Sequence, residues 1–208
     1  WGVKTEVIAL IGKDENGTLI RELLGNAAKD LIEIDSRPTA VKTRYVSGHQ
    51  QLLRVDEEVT GNLDEDITNE IIKRAESIIA KVDAVILSDY GKGVLSESVI
   101  KAAIAAAQKA DIPVLVDPKK QDYSLYAGAD IVTPNKKELS EAVGGMDVDS
   151  DDGVIAAGTS LKKQSGIKNI VATRSEKGMS VIMENGDFLH FPATAQEVFD
   201  VSGAGDTV

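Results

Sequence analysis

Ala84-Val85-Ile86-Leu87-Ser88, followed by Asp89-Tyr90-Gly91-Lys92-Gly93-Val94-Leu95, an alanine-rich segment over 96–110, and Val114-Leu115-Val116 running into Asp117-Pro118-Lys119, is the stretch that decides the fold. Its first and last pieces are short apolar runs bounded by turn residues, and they read as buried strands. The alanine-rich piece between them is a strong helix former, and Ser96 is placed to cap it. A helix of that length can serve as a crossover, so the two strands run parallel in a sheet covered on both faces. Ligands of such sheets gather at the carboxyl ends of the strands, where Asp89 and Asp117 stand.

The alternation continues outward. Downstream, Ile131-Val132-Thr133-Pro134-Asn135 is a strand leading into a helix that runs through Val143. The acidic run 147–152 reads as a solvated loop entering a helix near 153–164. Asn169-Ile170-Val171-Ala172-Thr173 is a further strand, residues 174–178 connect it to another, and Asn185-Gly186 turns a hairpin into Phe188-Leu189-His190-Phe191. Upstream, Ile67, Ile71, Ile72, Ala75, Ile78 and Ile79 recur at helical spacing after Asp64, a core stripe. Glu6-Val7-Ile8-Ala9-Leu10-Ile11-Gly12 reads as a buried strand, and Asp14-Glu15-Asn16-Gly17 precedes a helix carrying Leu19, Ile20, Leu23 and Leu24. Thr43–Val46 and Gln50–Val55 read as two strands of a hairpin around Ser47-Gly48-His49. The expected architecture is a three-layer α/β domain with a largely parallel central sheet and a small β-sheet beside it.

Composition narrows the function. Of 208 residues, 42% are hydrophobic, enough for one sizeable core. Lys plus Arg number 23 against 34 Asp plus Glu, a net charge of −11. That balance argues against nucleic-acid or membrane-surface partners, because phosphate backbones and anionic lipids repel it. A small anionic ligand needs only a local cationic pocket. Without cysteine, neither disulfides nor thiolate chemistry contributes. The expectation is a cytoplasmic protein.

Val198-Phe199-Asp200-Val201-Ser202-Gly203-Ala204-Gly205-Asp206-Thr207-Val208 carries the chemistry. Backbone N–H groups of Gly203, Ala204 and Gly205 can converge into an anion-binding nest, with glycines permitting close approach of a phosphate. Asp206, just beyond, is placed to accept a proton from an attacking hydroxyl. Together they suit phosphoryl transfer, in which positioning and charge stabilisation dominate. The same four residues would equally open a helix. Asn135 and Glu138, three residues apart at a helix start, could face one ligand or cap the helix.

These motifs resemble, in the expected order, those of the ribokinase-like (PfkB) carbohydrate kinases. The resemblance covers nearly the whole chain. It implies Asp206 as catalytic base and Gly203, Ala204 and Gly205 as the anion hole. Asp200 and Ser202 match positions that help hold a monovalent cation, K⁺; many members have Thr where this chain has Val201. Asn135 and Glu138 match an N-x-x-E motif for ATP–Mg²⁺, with Glu138 holding Mg²⁺ through water. Thr173 and Gly178 match nucleotide-phosphate positions of a T-x-G-x-x-G segment in which this chain has Ser175 for the first Gly. The hairpin, about residues 40–57, corresponds to the family's sugar-covering lid.

Within the family, RVDEE, SDYGKG, VDPK and TPNKKE resemble the D-glycero-β-D-manno-heptose 7-phosphate kinases most. That subgroup resemblance implies ATP-dependent phosphorylation at the anomeric O1, with a sugar phosphate as the small-molecule partner. Candidate acceptor contacts are Asp89, Lys92, Arg54 and Lys119. Other expectations from different classes are a ribokinase or fructokinase, and a non-catalytic sugar- or nucleotide-binding relative. The resemblance further implies a homodimer paired through the lid, and residues 1–208 as one incomplete kinase domain whose sheet exposes an apolar edge or face.

Overall fold

The computed structural model describes residues 2–48 and 50–194. His49 and the 195–208 segment, with Asp200, Ser202, Gly203, Ala204, Gly205 and Asp206, therefore lie outside the described residues.

Six strands form the main sheet in the order β10 (Phe188–Phe191), β9 (Met179–Ile182), β8 (Asn169–Thr173), β7 (Ile131–Val132), β6 (Val114–Asp117), β5 (Val85–Ser88). Strands β5 to β8 are parallel, and β9 and β10 add as antiparallel strands through the hairpin at Gly186, whose φ is 92°. Registry places Leu87, Val116, Val132, Ile170 and Ile182 in one row across the sheet. All five are buried, and they share a core with Ala75 and Ile79 of α2 (Glu65–Ile79), Ile100, Ala103, Ile104 and Ala107 of α3 (Glu97–Ala110), Leu139 of α4 (Lys136–Ala142), and Val154, Ala157 and Leu161 of α5 (Asp151–Ser165). Burial of the Leu, Ile and Val side chains among them, each contributing about 1.5–3 kcal/mol, holds the helices to this face.

The opposite face differs from the expectation of equal cover. Leu115, Ile131, Val171 and Val181 are half-buried, and Ile86 is 70% exposed. Among the described residues β5 is an edge strand of this sheet, not an interior one. Periodicity reports that a run is apolar; it does not report how many neighbours the run has.

The N-terminal strand is shorter than the apolar run suggests. Only Leu10–Gly12 (β1) pairs, in parallel, with Ile32–Ile34 (β2), as a separate two-stranded sheet. Asp14 caps α1 (Glu15–Leu24), accepting from Gly17 N at 2.7 Å, and also takes the Thr39 N–H at 2.8 Å and hydroxyl at 2.7 Å. A Cβ on Gly12 or Gly17 would collide with this knot, so those glycines are required by packing. Just past Thr39 the chain leaves the domain as the hairpin β3 (Val41–Ser47) and β4 (Gln50–Glu57), an antiparallel pair with a bulge at Tyr45/Val46.

Candidate active site

Parallel strands deliver their carboxyl ends to one edge of the sheet. A cleft of about 560 Å³ lies there, lined by Asp89, Lys119, Asn135, Glu138 and Thr173 together with Tyr90, Asp117 and Thr133. Its volume is that of a small-molecule site. Five residues singled out in the sequence from four separate strand ends thus meet in one cavity. The hollow of about 370 Å³ between residues 5–8 and α2 is mainly apolar, whereas one of about 710 Å³ between α4 and residues 145–149 is polar and shares Asn135 with the cleft.

Asp89 is the most enclosed carboxylate of the cleft, with its side chain 2% exposed. Its Oδ2 accepts from the Tyr126 hydroxyl at 2.8 Å and from Lys120 Nζ at 3.1 Å, and its Oδ1 accepts from Gly91 N at 2.8 Å. Burial and the bond to Asp89 push the Tyr126 phenol above its ordinary range, so it remains a donor at neutral pH. Lys120 also donates to the Leu95 carbonyl at 2.7 Å, closing the 89–95 loop on itself. Asp89 therefore shapes the loop that bears Lys92.

Lys119 points the other way, with Nζ 3.6 Å from Glu138 Oε1 across the cleft. Asn135 and Glu138 form a reciprocal capping box on α4: Asn135 Oδ1 accepts from Glu138 N at 2.9 Å, and Glu138 Oε2 accepts from Asn135 N at 3.0 Å. The box secures the helix start and leaves Glu138 Oε1 directed to the cleft side where Lys119 lies. Asn135 also bridges Thr173 in parallel, fixing β8's end beside the helix start.

The 173–178 turn is held from behind by Arg174, whose side chain is 1% exposed. Its Nη1 donates to Asp151 Oδ1 at 2.5 Å and Ser180 Oγ at 3.2 Å, and lies 3.3 Å from His190 Nδ1. Lys177 donates to the Asp149 carbonyl and Lys136 pairs with the Asp149 carboxylate, so part of the acidic run read as solvated is engaged. Ser175 adopts φ 52°, the left-handed region that favours glycine. Gly178, at φ 82°, would place a Cβ 2.0 Å from the Phe191 carbonyl oxygen. It stands at the turn behind Thr173 and does not line the cleft.

On the side of the β3–β4 hairpin, Lys92 pairs with Glu58, which also holds Lys42 at 3.2 Å. Arg54 faces Arg44 across the hairpin and binds Asp56 at 2.8 Å, away from the cleft lining. Three residues that sequence reasoning missed matter here: Lys120, Tyr126 and Arg37. Lys119 and Lys120 are adjacent, and only the backbone direction after β6 decides which one meets Asp89.

Comparison with known proteins follows from this geometry. The family model described as pfkB family carbohydrate kinase matches residues 1–208. The chain belongs to the pfkB family of carbohydrate kinases. It is 42% identical over 210 residues to the bifunctional protein HldE of Paramagnetospirillum magneticum, covering 100% of this chain and 43% of that protein. The HldE of Azorhizobium caulinodans is 44% identical, over 99% of this chain and 43% of its own length. The chain thus spans less than half the length of these relatives. Among solved structures, Arabidopsis thaliana ribokinase complexed with ribose and ATP superposes with a TM-score of 0.74 at 21% identity, covering 96% of this chain and 65% of that one. Phosphofructokinase-2 from Escherichia coli in complex with potassium gives 0.72 at 18% identity, with 94% and 63% coverage. These two likenesses establish the ribokinase-like fold: a mostly parallel central sheet with a small antiparallel sheet. Among the described residues of this pfkB-family chain, no helix is long and apolar enough to cross a membrane.

Proposed function

We propose that the protein is an ATP- and Mg²⁺-dependent kinase that phosphorylates the anomeric O1 of D-glycero-β-D-manno-heptose 7-phosphate, the 1,7-bisphosphate being the product. The observation that carries this reading is the gathering of Asp89, Lys119, Asn135, Glu138 and Thr173 at the strand ends of a pfkB-family domain that matches HldE proteins along its whole length. A localisation in the cytoplasm, where ATP is available, accords with it.

Bound ATP–Mg²⁺ would supply the phosphoryl group and neutralise charge on it. Glu138 fits that cation: it offers a hard oxygen at the cleft, while among the described residues no three His, Asp or Glu side chains cluster to cage a metal. A cation held largely by phosphates and waters, with one carboxylate behind, is the usual manner of Mg²⁺. Thr173 and the turn ending at Gly178 would seat the nucleotide phosphates. Lys119, more exposed than its partner Glu138, can exchange that ion pair for a phosphate at little cost, since exposed pairs are worth about 0–1 kcal/mol. Lys92 and Arg54 would attract the acceptor's phosphate from the lid side, and Asp89 holds the loop that bears Lys92. Asp206 would take the proton of the acceptor hydroxyl beside the Gly203–Ala204–Gly205 nest, with Asp200 and Ser202 supporting K⁺. A homodimer joined through the lid completes the proposal.

The test is a coupled ADP-release assay over heptose 7-phosphate, ribose and fructose with the natural full-length chain. Heptose 7-phosphate should give the highest kcat/KM, and Asp206→Asn should lose roughly 10²–10⁴-fold in kcat while retaining ATP binding. Ribose or fructose outperforming heptose 7-phosphate would transfer the assignment to another sugar kinase.

A further inference from the structure

The lid leaves and rejoins the domain through two short arms, and one side chain on the first arm grips the second. Arg37 stands ahead of β3. Its Nη2 donates to the carbonyl oxygens of Gly61 at 3.0 Å and Asn62 at 2.7 Å, on the arm returning from β4. Its Nη1 donates to Val59 O at 3.5 Å and, across the seam, to Lys92 O at 3.2 Å in the loop that begins at Asp89. A planar fork with five N–H donors can span carbonyls on two loops; the compact ammonium of lysine cannot.

Two other contacts converge on the same seam. Gly93 has φ 97°, and a Cβ there would lie 2.0 Å from Gly61 O, so the two loops touch backbone to backbone. Glu58, the first residue past β4, holds Lys92 on one side and Lys42 of β3 on the other. Both lid arms are thereby tied to the 89–95 loop, which Asp89, Lys120 and Tyr126 fix to the domain. The lid strands themselves lack such anchorage: Tyr45, Val46, Leu52 and Leu53 are all more than half exposed.

We infer that Arg37 is a positioning residue that sets the lid against the 89–95 loop and so determines how tightly the acceptor is held and how well water is excluded. The inference rests on the sugar-kinase reading above. Arg37 touches no reacting atom. Its bonds to Val59, Gly61 and Asn62 lie at the surface, so water can replace them one for one. What its removal loses is the side-chain bridge from the arms to Lys92 O, leaving the seam to the Glu58–Lys92 pair and the Gly61–Gly93 contact, with the core intact. Acceptor binding and the exclusion of water depend on the lid, whereas the nucleotide-side residues Asn135, Glu138 and Thr173 lie on other strand ends.

The experiment compares the natural full-length chain with Arg37→Ala, and with Arg37→Lys, which keeps the charge and stem and serves should the alanine variant not fold. KM for heptose 7-phosphate should rise by about tenfold or more, the equivalent of losing one charged hydrogen bond, with KM for ATP within about twofold. ADP release without acceptor should increase relative to sugar phosphorylation. Amide hydrogen exchange should accelerate in peptides covering 57–62 and 91–95 and not in α3 or α5. Unchanged exchange at the seam, or equal weakening of both substrates with a general rise in exchange, overturns the inference. A parent protein that phosphorylates none of the sugars refutes the kinase reading instead, and the exchange measurement then decides the clamp by itself.

Discussion

Lys120→Met removes the cation that faces the most enclosed carboxylate of the cleft while keeping most of the side chain's volume. Asp89 is 2% exposed, and three donors hold it: Lys120 Nζ at 3.1 Å, the Tyr126 hydroxyl at 2.8 Å and Gly91 N at 2.8 Å. Breaking a buried ion pair by deleting one partner costs about 3–5 kcal/mol, because the remaining charge is left uncompensated. Here two of the three donors survive, and Lys120 is itself 28% exposed, so water reaches part of the site. That lowers the expected loss to about 2–3 kcal/mol. For a chain of this size each kcal/mol moves Tm by about 2–4 °C, so Lys120→Met should melt roughly 4–12 °C below the parent. Loss of the Lys120 bond to Leu95 O should also loosen the 89–95 loop. Thermal and urea unfolding of the parent, Lys120→Met, Asp89→Asn and the double variant form a cycle. The two changes should couple by at least about 1 kcal/mol, since with Asp89 neutralised the lysine has less to offset. A Lys120→Met protein within about 0.5 kcal/mol of the parent, or a strictly additive double variant, would refute the reasoning.

Gly178→Ala should destabilise by roughly 3 kcal/mol or more, because the new Cβ meets backbone atoms of Phe191 and Ala193 that cannot swing aside; urea midpoints check it. Ser175→Gly should stabilise by about 0.5–1 kcal/mol, the left-handed penalty at φ 52° relieved less the added entropy of the unfolded chain. A midpoint that falls instead would show that the Ser175 side chain contributes more than the backbone strain costs. Asp14 has its carboxyl held below the usual range, first by the Thr39 backbone N–H, then by the Thr39 hydroxyl and Gly17 N–H. Its ionised form is therefore favoured in the folded state. The stability it contributes is present above the unfolded carboxylate range near pH 4 and is lost as pH falls through the lower folded value. Unfolding free energy measured between pH 6 and pH 2 should decline less steeply in Asp14→Asn than in the parent, and equal slopes would contradict the knot around Thr39.

Much of the architecture was legible along the chain because its signals are local. Apolar runs ended by turn residues marked β5, β6, β7 and β8, the Asn185-Gly186 turn marked the β9–β10 hairpin, and Ser96 capped α3 as expected, accepting from Val99 N. The β3–β4 hairpin also stood where the alternation of Thr43–Val46 and Gln50–Val55 placed it. Elements whose pairing depends on distant partners were less legible. The apolar run ending at Gly12 pairs over only three residues, and Ile86, inside a uniformly apolar strand, is exposed because it lies on the sheet face opposite the helix-covered row of Leu87, Val116 and Val132.

By itself, then, the sequence determined the parallel α/β alternation, the strand ends at which polar residues collect, and the pfkB motifs, since periodicity, turn chemistry and motif spacing are properties of neighbouring residues. Only the tertiary structure decided which of those polar groups meet. It turned Lys120, not Lys119, onto Asp89, and set Lys119 across the cleft from Glu138. It buried Arg174, a residue type that sequence alone assigns to the surface, against Asp151 and Ser180 from other elements. It also brought the carbonyls of Gly61, Asn62 and Lys92 within reach of Arg37. The physical reason is common to all three: a cation's partner is chosen by proximity in space, and loops distant in sequence become neighbours only when the sheet has set their positions.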